Sequence, residues 1–453
     1  MHYDRSGAPI ALTDSASAAH WDAMTAAFLA HGRSTPDHLA AVIAAEPELA
    51  LPVAVKGLFC VMLGRREMTE AAVGAARDAR RLMDAAADCP RTRHFLKALE
   101  RWLAGNPPGA IAALEEQLTA CPSDTLAAKI VHGMRFMIGD SAGMLRSVER
   151  VLPAHGADHP YRGYLLGCRA FALEETGTYA AAETSGKEGL ALARDDAWGL
   201  HAVAHVHDMT HRPDEGIALI EAHPESWEGC NNFRYHVWWH KALLHLDRGE
   251  IAVVLDLYDR RIRADQTDDY RDIANATSLL MRLELEGAAV GDRWDELAAL
   301  AERRCEDGEL IFADLHYMLA LMGGAHSDSA ARLERCIAKR AGLGTPMGAI
   351  ADDPGRAAVA GLAAFGEGRY DAAFQNLSVA MQGLQRIGGS HAQRDVFDRM
   401  TIDAGLRAGQ FDAAERMLKA RAAKRAGALD SFADTRLARI RAARSDSLSV
   451  PAQ

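Results

Sequence analysis

Two pairs of histidines, each with a spacing of four residues, are the part of this sequence best suited to chemistry. His201 and His205 enclose the stretch HAVAH, and His236 and His240 enclose HVWWH. Because residues i and i+4 share one face of a helix, each pair can present two imidazoles to the same ligand. Eight of the chain's 19 histidines fall between residues 201 and 245, a concentration that composition alone does not explain.

Such a pair of imidazoles can bind one metal ion, and two pairs on facing helices would complete a tetrahedral site for a divalent ion such as Zn²⁺. With only three histidines bound, an open fourth position would make the site catalytic, because the metal-bound water would be acidified towards neutrality. Glu174 or Asp208 would then orient a ligand or act as the general base. No HExxH motif accompanies the histidines. The alternative interpretation is that each histidine is a semi-polar packing residue bonded to a neighbouring carboxylate.

A repeated phrase identifies the helices that would position these side chains. GTYAAA (177–182), GRYDAA (368–373) and GQFDAA (409–414) share a glycine, an aromatic residue and an alanine at fixed offsets. Runs with helical apolar periodicity precede and follow each phrase. The glycine fits a tight turn between antiparallel helices, and the alanine lets the second helix approach the first. A helix, turn and helix unit of about 34 residues with this pattern is typical of the tetratricopeptide repeat.

The sequence therefore predicts an all-α fold, a tetratricopeptide-repeat superhelix (α-solenoid) of about nine helix pairs with an N-terminal helical cap. Signals for β-strands are absent, since Ala, Leu, Arg and Glu dominate the composition. The expected organisation is a flexible N-terminus (1–17), the cap (18–90), a repeat array with a His-rich concave groove (91–340), a linker (341–353), C-terminal repeat pairs (354–440) and a disordered tail (441–453).

The two histidine pairs stand in the register of the repeat. His236 follows His201 by 35 residues, and His240 follows His205 by the same 35. They should therefore occupy equivalent positions on the first helices of two neighbouring pairs, here termed A helices. A helices line the concave wall of such a superhelix. We expect the four imidazoles to line one groove together.

Further titratable and aromatic residues are expected around this groove. The predicted catalytic residues are His201, His205, His236, His240, Glu174 and Asp208. The predicted binding residues are Glu175, Trp198, Trp227, Trp239, Asp314 and His316. The four paired histidines are also the predicted metal ligands. A polar, titratable pocket rimmed by aromatic rings is typical of small-molecule sites.

Other residues with reactive side chains are given lesser roles. The histidines that fall off the shared face are expected to be surface or core residues; they are His207, His211, His223 and His245. Cys230 is a candidate nucleophile beside the paired histidines, with a buried structural thiol as the expected alternative. The glycine-rich stretch GLGTPMG (342–348) lacks the GK[ST] ending and the preceding strand that a phosphate-binding loop needs.

The composition of the chain limits the binding partners and the cellular compartment that we expect for the protein. The formal net charge is −11 and the pI is near 5.9, which argues against nucleic acid as a partner because phosphate binding needs a basic face. No secretory signal and no apolar run long enough to span a membrane is visible, so no membrane association is expected. Seven scattered cysteines without a CxxC pair favour a reducing cytoplasm over a disulfide framework. The sequence does not indicate an oligomeric state.

Beyond the generic repeat, several longer phrases resemble the tetratricopeptide repeat protein 38 family. They are AFALEETGTYAAAE (170–183), DDAWGLHAVAHVHDM (195–209), the run from Trp227 through CNNFRYHVWWHKALLHL, LYDRRI (257–262), SLLMRLELEGAAVGDRW and FADLHYMLAL, and they span roughly residues 90–325. The matched positions are Glu174, Glu175, His201, His205, Met209, Trp227, His236, Trp239, His240, Asp259, Arg282, Trp294, Asp314 and His316.

The resemblance implies a soluble, mostly cytoplasmic repeat protein and assigns no activity. Two positions depart from the family pattern: Asp208 stands where the family has Glu, and Val237 stands where it often has Asn. The aspartate side chain is one methylene shorter, so it reaches less far towards any ligand.

Two functions follow as hypotheses. The first is a small-molecule site in the groove, with hydrolase- or lyase-type acid/base or metal-assisted chemistry, because no redox cofactor motif is visible. The alternative is a non-catalytic scaffold that binds a partner peptide or protein, a common role of such repeats. A closed pocket would favour the small molecule, and an open groove longer than about 20 Å would favour a peptide.

Overall fold

The computed structural model describes residues 2–85 and 89–449, and helices make up most of this part of the chain. A short antiparallel hairpin, β1 (His2–Tyr3) and β2 (Pro9–Ile10), opens the chain. The sequence predicted flexibility over 1–17, whereas the hairpin is anchored to the cap. Asp4 accepts hydrogen bonds from the buried Arg91 guanidinium at 2.9 Å and from the Trp21 indole at 3.2 Å.

Four helices form the N-terminal cap, α1 (Ser15–Leu29), α2 (Thr35–Ala45), α3 (Ala50–Val61) and α4 (Arg66–Ala85). Trp21, Leu58 and Leu99 belong to one continuous buried core, which joins the cap to the first helix of the array. The predicted cap range extends into residues 86–88, which lie outside the described part of the chain.

Nine helix pairs follow within the described residues, as the sequence predicted. The first seven are α5 (Pro90–Leu103) with α6 (Pro107–Ala120), α7 (Thr125–Met137) with α8 (Ser141–Val151), α9 (Arg162–Glu175) with α10 (Tyr179–Leu192), α11 (Ala197–Met209) with α12 (Pro213–Ala222), α13 (Phe233–Asp247) with α14 (Ile251–Leu257), α15 (Tyr270–Leu285) with α16 (Arg293–Arg304), and α17 (Ile311–Gly323) with α18 (Ser327–Ala341). After the short helix α19 (Pro346–Ile350) come α20 (Ala357–Gly366) with α21 (Tyr370–Met381), and α22 (His391–Arg407) with α23 (Phe411–Lys424), before the final helix α24 (Ser431–Ser449). The fold is an all-α superhelix of the tetratricopeptide-repeat type, and this prediction is confirmed.

The turns within the pairs use left-handed backbone, as the glycine phrases predicted. Gly177 (φ 81°) ends α9 and Gly368 (φ 72°) ends α20, a conformation that glycine adopts without steric cost. In the α11–α12 turn His211 takes this place at φ 53°. His211 is therefore a turn residue and is directed away from the paired histidines on α11.

Two segments are more ordered than the sequence suggested. The predicted linker 341–353 contains α19, and the Met347 amide donates a hydrogen bond to the Gly105 carbonyl at 3.1 Å, which docks the segment onto the α5–α6 turn. The tail was expected to be disordered from 441, but α24 continues to Ser449. The remainder of that tail, 450–453, lies outside the described residues.

The C-terminal helices pack back onto the ends of the array's A helices. Arg425 donates hydrogen bonds to Asp208 at the end of α11, and Arg436 on α24 donates to Glu286 after α15 at 2.8 Å. The C-terminal helices therefore close back onto the array, and a cavity lies between them and the A helices. Across residues 2–85 and 89–449, no helix combines the length and apolarity that a membrane span requires.

Candidate metal centre

Close packing of three A helices brings the paired histidines together. A Cβ atom placed on Gly167 of α9 would lie 3.0 Å from the Gly199 Cα of α11, so the absence of side chains at both positions permits the approach. This approach sets Phe171 of α9 against the α11 histidines, with 5.3 Å between the Phe171 and His201 ring centroids. The second histidine pair faces them from α13.

The four imidazoles converge through their Nε2 atoms. His201 Nε2 lies 2.9 Å from His205 Nε2 and 3.2 Å from His236 Nε2. The Nε2 atoms of His236 and His240 are 3.1 Å apart. One ligand atom from each of the four residues falls within 4.8 Å of the others. The predicted association of the two pairs across neighbouring repeats is therefore present in the structure.

In His201, His205 and His236, the Nδ1 atom on the far side of the ring faces an oxygen atom. His201 Nδ1 lies 3.4 Å from the Trp198 carbonyl, and His236 Nδ1 lies 2.9 Å from Asn275 Oδ1 on α15. His205 Nδ1 is 3.6 Å from Glu174 Oε2. For His201 and His236, the acceptor at Nδ1 places the ring proton there and leaves Nε2 with a free lone pair, the arrangement that metal-binding histidines use.

Burial keeps the imidazoles neutral. His205 is 0% exposed and the most exposed of the four, His236, reaches 8%. Desolvation lowers the pKa of His236 to about 4. It is also the main cause that lowers the pKa of His201, His205 and His240 well below the ordinary value, and neighbouring imidazoles add to the effect in these three residues. Neutral imidazole is the form that binds a metal ion.

Aromatic rings enclose the histidine cluster. Trp239 stacks on His236 with 5.2 Å between centroids, and Trp198 lies 4.9 Å from His201. Phe233 packs against both His201 and His236 at 5.3 Å. The predicted binding residues Trp198 and Trp239 therefore form an apolar shell that excludes water from the cluster.

A second polar group adjoins the cluster at Glu174. The His391 ring, at the start of α22, places Nε2 2.6 Å from Glu174 Oε1 and Nδ1 3.5 Å from Glu175 Oε1. Burial alone would lower the pKa of His391, but the two carboxylates outweigh it and raise that pKa. Burial raises the pKa of Glu174, whereas His391 and Arg394 lower that of Glu175 against the opposing effect of burial.

The cavity between the A helices and the C-terminal helices has a volume of about 700 Å³ and is partly open to solvent. Its charged lining residues are Glu174, Glu175, Asp208, Asp247, Glu286, Asp395, Asp398, Asp430, Arg282, Arg394, Arg399, Arg421, Lys424, Arg425 and His391. The four paired histidines are not among the residues that line it. They lie behind its wall, which corrects the expectation that they line the groove, because the aromatic shell covers their faces and Glu174 stands between His205 and the cavity.

Most charged groups of the cavity are paired with one another. Arg421 binds Asp395 and Asp430, and Arg425 binds Asp208 at 3.0 Å. Asp398 differs, because no hydrogen bond or ion pair to it is found within the described residues. Desolvation, followed by the nearby charge of Asp395, raises the pKa of Asp398 to about 6.

Three predicted binding residues lie apart from this site. Trp227 packs edge-on against Trp238 and donates its indole N–H to the Ile220 carbonyl at 3.2 Å. Asp314 is held by Arg340 at 2.5 Å. His316 contacts the Phe312 carbonyl at 2.7 Å through Nδ1. These three residues neither line the cavity nor contact the histidine cluster, because their side chains pack between other helices.

The histidines expected off the shared face each approach a carboxylate. The contacts are His207 with Glu183, His211 with Asp247, His223 with Glu225 and His245 with Glu250. Cys230 is 5% exposed, and burial raises the pKa of its thiol to about 11, which opposes a nucleophilic role.

The sequence interpretation missed Asn275 and His391. Asn275 follows His240 by 35 residues, so the register that joined the histidine pairs would have reached it after one further repeat. No comparable signal leads to His391, since it reaches Glu174 only through the closure of the C-terminal helices onto α9.

Comparisons with known proteins add little at the level of function. No protein-family model matches the chain. Two structures of a human IFIT1 dimer, one with PPP-AAAA and one with m7Gppp-AAAA, are similar to it, each with a TM-score of 0.41. They share 11% and 12% sequence identity and cover 96% and 95% of both chains, respectively. A structure of Naa15/Naa10 bound to HypK-THB has a TM-score of 0.25 at 12% identity and covers 89% of this chain and 68% of that one. We base no functional inference on these similarities.

Proposed function

We propose that this protein binds one divalent transition-metal ion, of which zinc is the best match, through His201, His205, His236 and His240. The observation that carries the proposal is the grouping of four buried imidazoles, each of which has a ring nitrogen within 4.8 Å of the others. In a tetrahedral zinc site with Zn–N bonds of about 2.0–2.1 Å, ligand nitrogens stand roughly 3.3 Å apart. The Nε2 separations of 2.9, 3.1 and 3.2 Å come close to this value.

The protonation of the rings supports a cation between them. A carbonyl oxygen only accepts hydrogen bonds, so the Trp198 carbonyl favours a proton on His201 Nδ1, and Asn275 Oδ1 does the same for His236. Two Nε2 lone pairs then face each other at 3.2 Å. They repel unless a positive charge lies between them, and a metal ion supplies that charge.

The ion would act first as a cross-link between α11 and α13. Four protein ligands leave no open coordination position, which is typical of structural rather than catalytic zinc. Imidazole ligands also suit copper and nickel, so the measured metal content decides the identity of the ion.

We further propose that a small polar molecule binds in the adjoining cavity. A volume of about 700 Å³ lies in the range of small-molecule sites. Asp398 supports this, because its carboxylate lines the cavity and would be satisfied by a hydrogen-bond donor or a cationic group of the ligand. A hydrolase- or lyase-type reaction there would draw on Glu174 and Asp208, the predicted acid/base residues that line the cavity.

The alternative of a scaffold for a partner peptide is the less favoured proposal. Arg425 and Arg436 hold α23 and α24 against the A helices, so a peptide that extended along the A helices would have to displace α23 and α24. Binding of a partner through another surface stays compatible with the fold. Membership of the tetratricopeptide repeat protein 38 family and a cytoplasmic location belong to the proposal as well; they rest on the sequence phrases and on the seven free cysteines.

Elemental analysis of protein purified without a His tag tests the metal centre. We expect zinc or another transition metal at near-stoichiometric content in the parent and its loss in a His201→Ala, His236→Ala double variant that circular dichroism shows to be helical. His223→Ala, which removes an exposed histidine, is the matched control and should keep the metal. A parent without metal that also fails to take up added Zn²⁺ would overturn the proposal.

A further inference from the structure

The imidazole of His205 has its two ring nitrogens in two different groups of metal-binding side chains. Its Nε2 belongs to the four-histidine cluster, 2.9 Å from His201 Nε2. His205 also belongs to a second group with Glu174, Glu175 and His391, and its Nδ1 faces Glu174 Oε2 of that group at 3.6 Å. In this second group, too, one ligand atom from each residue lies within 4.8 Å of the others.

The second group contains buried polar atoms without hydrogen bonds. Glu174 is 0% exposed, yet neither carboxylate oxygen has a hydrogen-bond partner within the described residues. The same holds for His205 Nδ1 and for His391 Nε2, although the latter lies 2.6 Å from Glu174 Oε1. Glu174 Oε2 and His205 Nδ1 are buried, lack a hydrogen bond and lie 3.6 Å apart, so a bound cation would satisfy both atoms.

The two groups differ in their access to the cavity. Glu174, Glu175 and His391 line it, whereas the remaining histidines of the first cluster do not. An ion held by the second group would therefore keep coordination positions open towards the cavity, as catalytic metal sites do.

Charge balance is compatible with occupation of both groups. The ligands of the first cluster are neutral imidazoles, so a divalent ion there brings two uncompensated positive charges into a dry interior. The nearest carboxylates are those of Glu174, which faces His205 Nδ1 at 3.6 Å, and of Glu175. With a second ion, these carboxylates become ligands and the shared imidazole supplies a further negative charge.

We propose that Glu174, Glu175, His391 and the Nδ1 atom of His205 bind a second divalent transition-metal ion. The His205 ring then bridges the two ions as an imidazolate. The inference rests on the proposed function, because a bridge requires an ion in the four-histidine cluster. On binding of the second ion, His205 Nδ1 exchanges its proton for the metal and His391 gives up any ring proton; both protons pass to solvent, and no electron is transferred. The open positions of this ion face the small-molecule cavity, so it is the ion that would contact a ligand oxygen.

Metal stoichiometry of the full chain separates the two sites. After saturation with Zn²⁺ and removal of loosely bound ions, we expect two ions per parent chain. A Glu175→Gln, His391→Asn variant should retain one ion, and a His236→Ala, His240→Ala variant should also retain one. His223→Ala should retain both and reports on adventitious surface binding.

Each other outcome has a definite meaning. If the parent binds one ion, and this ion is lost in the His236→Ala, His240→Ala variant but kept in the Glu175→Gln, His391→Asn variant, the second site is overturned and the proposed function stands. One ion lost only through Glu175 and His391 supports the second group and overturns the four-histidine centre and the bridge. No ion in any protein overturns both.

Copper substitution tests the bridge without any mutation. In the parent loaded with two Cu²⁺ ions, an imidazolate bridge couples the two unpaired electrons, so the low-temperature paramagnetic resonance signal should fall to less than half of the analysed copper. The Glu175→Gln, His391→Asn variant with one Cu²⁺ should give the full signal of an isolated ion. Two fully detectable, uncoupled Cu²⁺ spins in the parent would overturn the bridge.

Discussion

His201 Nε2 lies 3.2 Å from His236 Nε2, although the two residues are 35 positions apart in the chain. The distance follows from the repeat, because equivalent positions on neighbouring A helices stack on one another. The same step of 35 residues leads from His240 to Asn275, whose Oδ1 lies 2.9 Å from His236 Nδ1. Two successive A helices, α11 and α13, thus supply two pairs of imidazole ligands, and the next A helix, α15, supplies the oxygen that orients His236.

Replacement of Asn275 by alanine should weaken metal binding without loss of the fold. The substitution removes the acceptor that fixes the His236 ring, and loss of such an outer partner typically costs about 10–100-fold in metal affinity. Competition against a chromophoric zinc chelator measures the change. Ser278→Ala on the same helix, whose hydroxyl donates to the Asn275 backbone carbonyl, is the control and should change the affinity by less than about threefold. Equal affinities for Asn275→Ala and the parent would show that the amide does not orient the ring.

The approach of α9 to α11 gives a second prediction. In Gly167→Ala, the new Cβ would lie 2.0 Å from Asp196 Oδ2 and 3.0 Å from the Gly199 Cα, so the helices must separate. Overpacking of this kind costs about 1–3 kcal/mol, and the shift should also lower zinc affinity because Phe171 and Glu174 move with α9. Thermal melting and zinc competition measure the two effects.

Gly74→Ala on α4 is the matched control for that experiment. Apart from its chain neighbours and its own helix backbone, no atom of the described residues lies within 4 Å of the position that its Cβ would take. It should leave zinc affinity unchanged and stabilise the protein by up to about 1 kcal/mol, since alanine is the better helix former. A Gly167→Ala protein that melts like the parent would contradict the tight contact between α9 and α11.

The fold was predictable because its determinants are local. Glycine phrases such as that at Gly177 and Gly368 mark turns, and the apolar periodicity on either side marks the helices, so neither needs knowledge of distant contacts. The meeting of His201 with His236 was predictable for the same reason, as a fixed register carries it from one repeat to the next.

The cavity was not predictable, because it depends on how the superhelix closes. His391 meets Glu174 from 217 positions away, and Arg425 meets Asp208 from the same distance along the chain. No periodic signal connects these residues, because the ion pairs join non-equivalent repeats. For Asp314 and His316, the sequence predicted a place in the site that the structure does not give them. Their position on an A helix does not determine which neighbouring helices their side chains pack between.

Buried neutral histidines should make the metal-free protein less stable as the pH falls. His316 is 0% exposed, and desolvation lowers its pKa to about 4 from an unfolded value near 6.5. The unfolded chain therefore binds more protons between these values, so the stability from neutral His316 is complete above pH 6.5 and is lost as the pH falls towards 4. Protonation of this single group lowers the free energy of unfolding by about 2 kcal/mol between pH 7 and pH 5.

His316→Met removes that group and should make the melting temperature less sensitive to pH. The difference between the melting temperatures at pH 7 and pH 5, measured with a chelator present, should be smaller than in the parent. His223→Ala removes an exposed histidine and should leave the difference unchanged. A pH dependence identical in His316→Met and the parent would mean that His316 titrates alike in the folded and unfolded states.

Substitution of Arg436 should release α24 from the array. Arg436 is 0% exposed and donates hydrogen bonds to Asp403 at 3.0 Å and to Glu286 at 2.8 Å. Arg436→Met leaves these carboxylates without that partner, and breaking a buried pair from one side costs about 3–5 kcal/mol. Amide hydrogen exchange in α24 should accelerate by about 100-fold or more, while exchange in α11 and α13 stays unchanged because the histidine cluster does not depend on α24. Arg439→Ala on the exposed side of the same helix should leave both rates as they are. If Arg436→Met left the exchange of α24 slow, the closure of the superhelix would rest on contacts other than this ion pair.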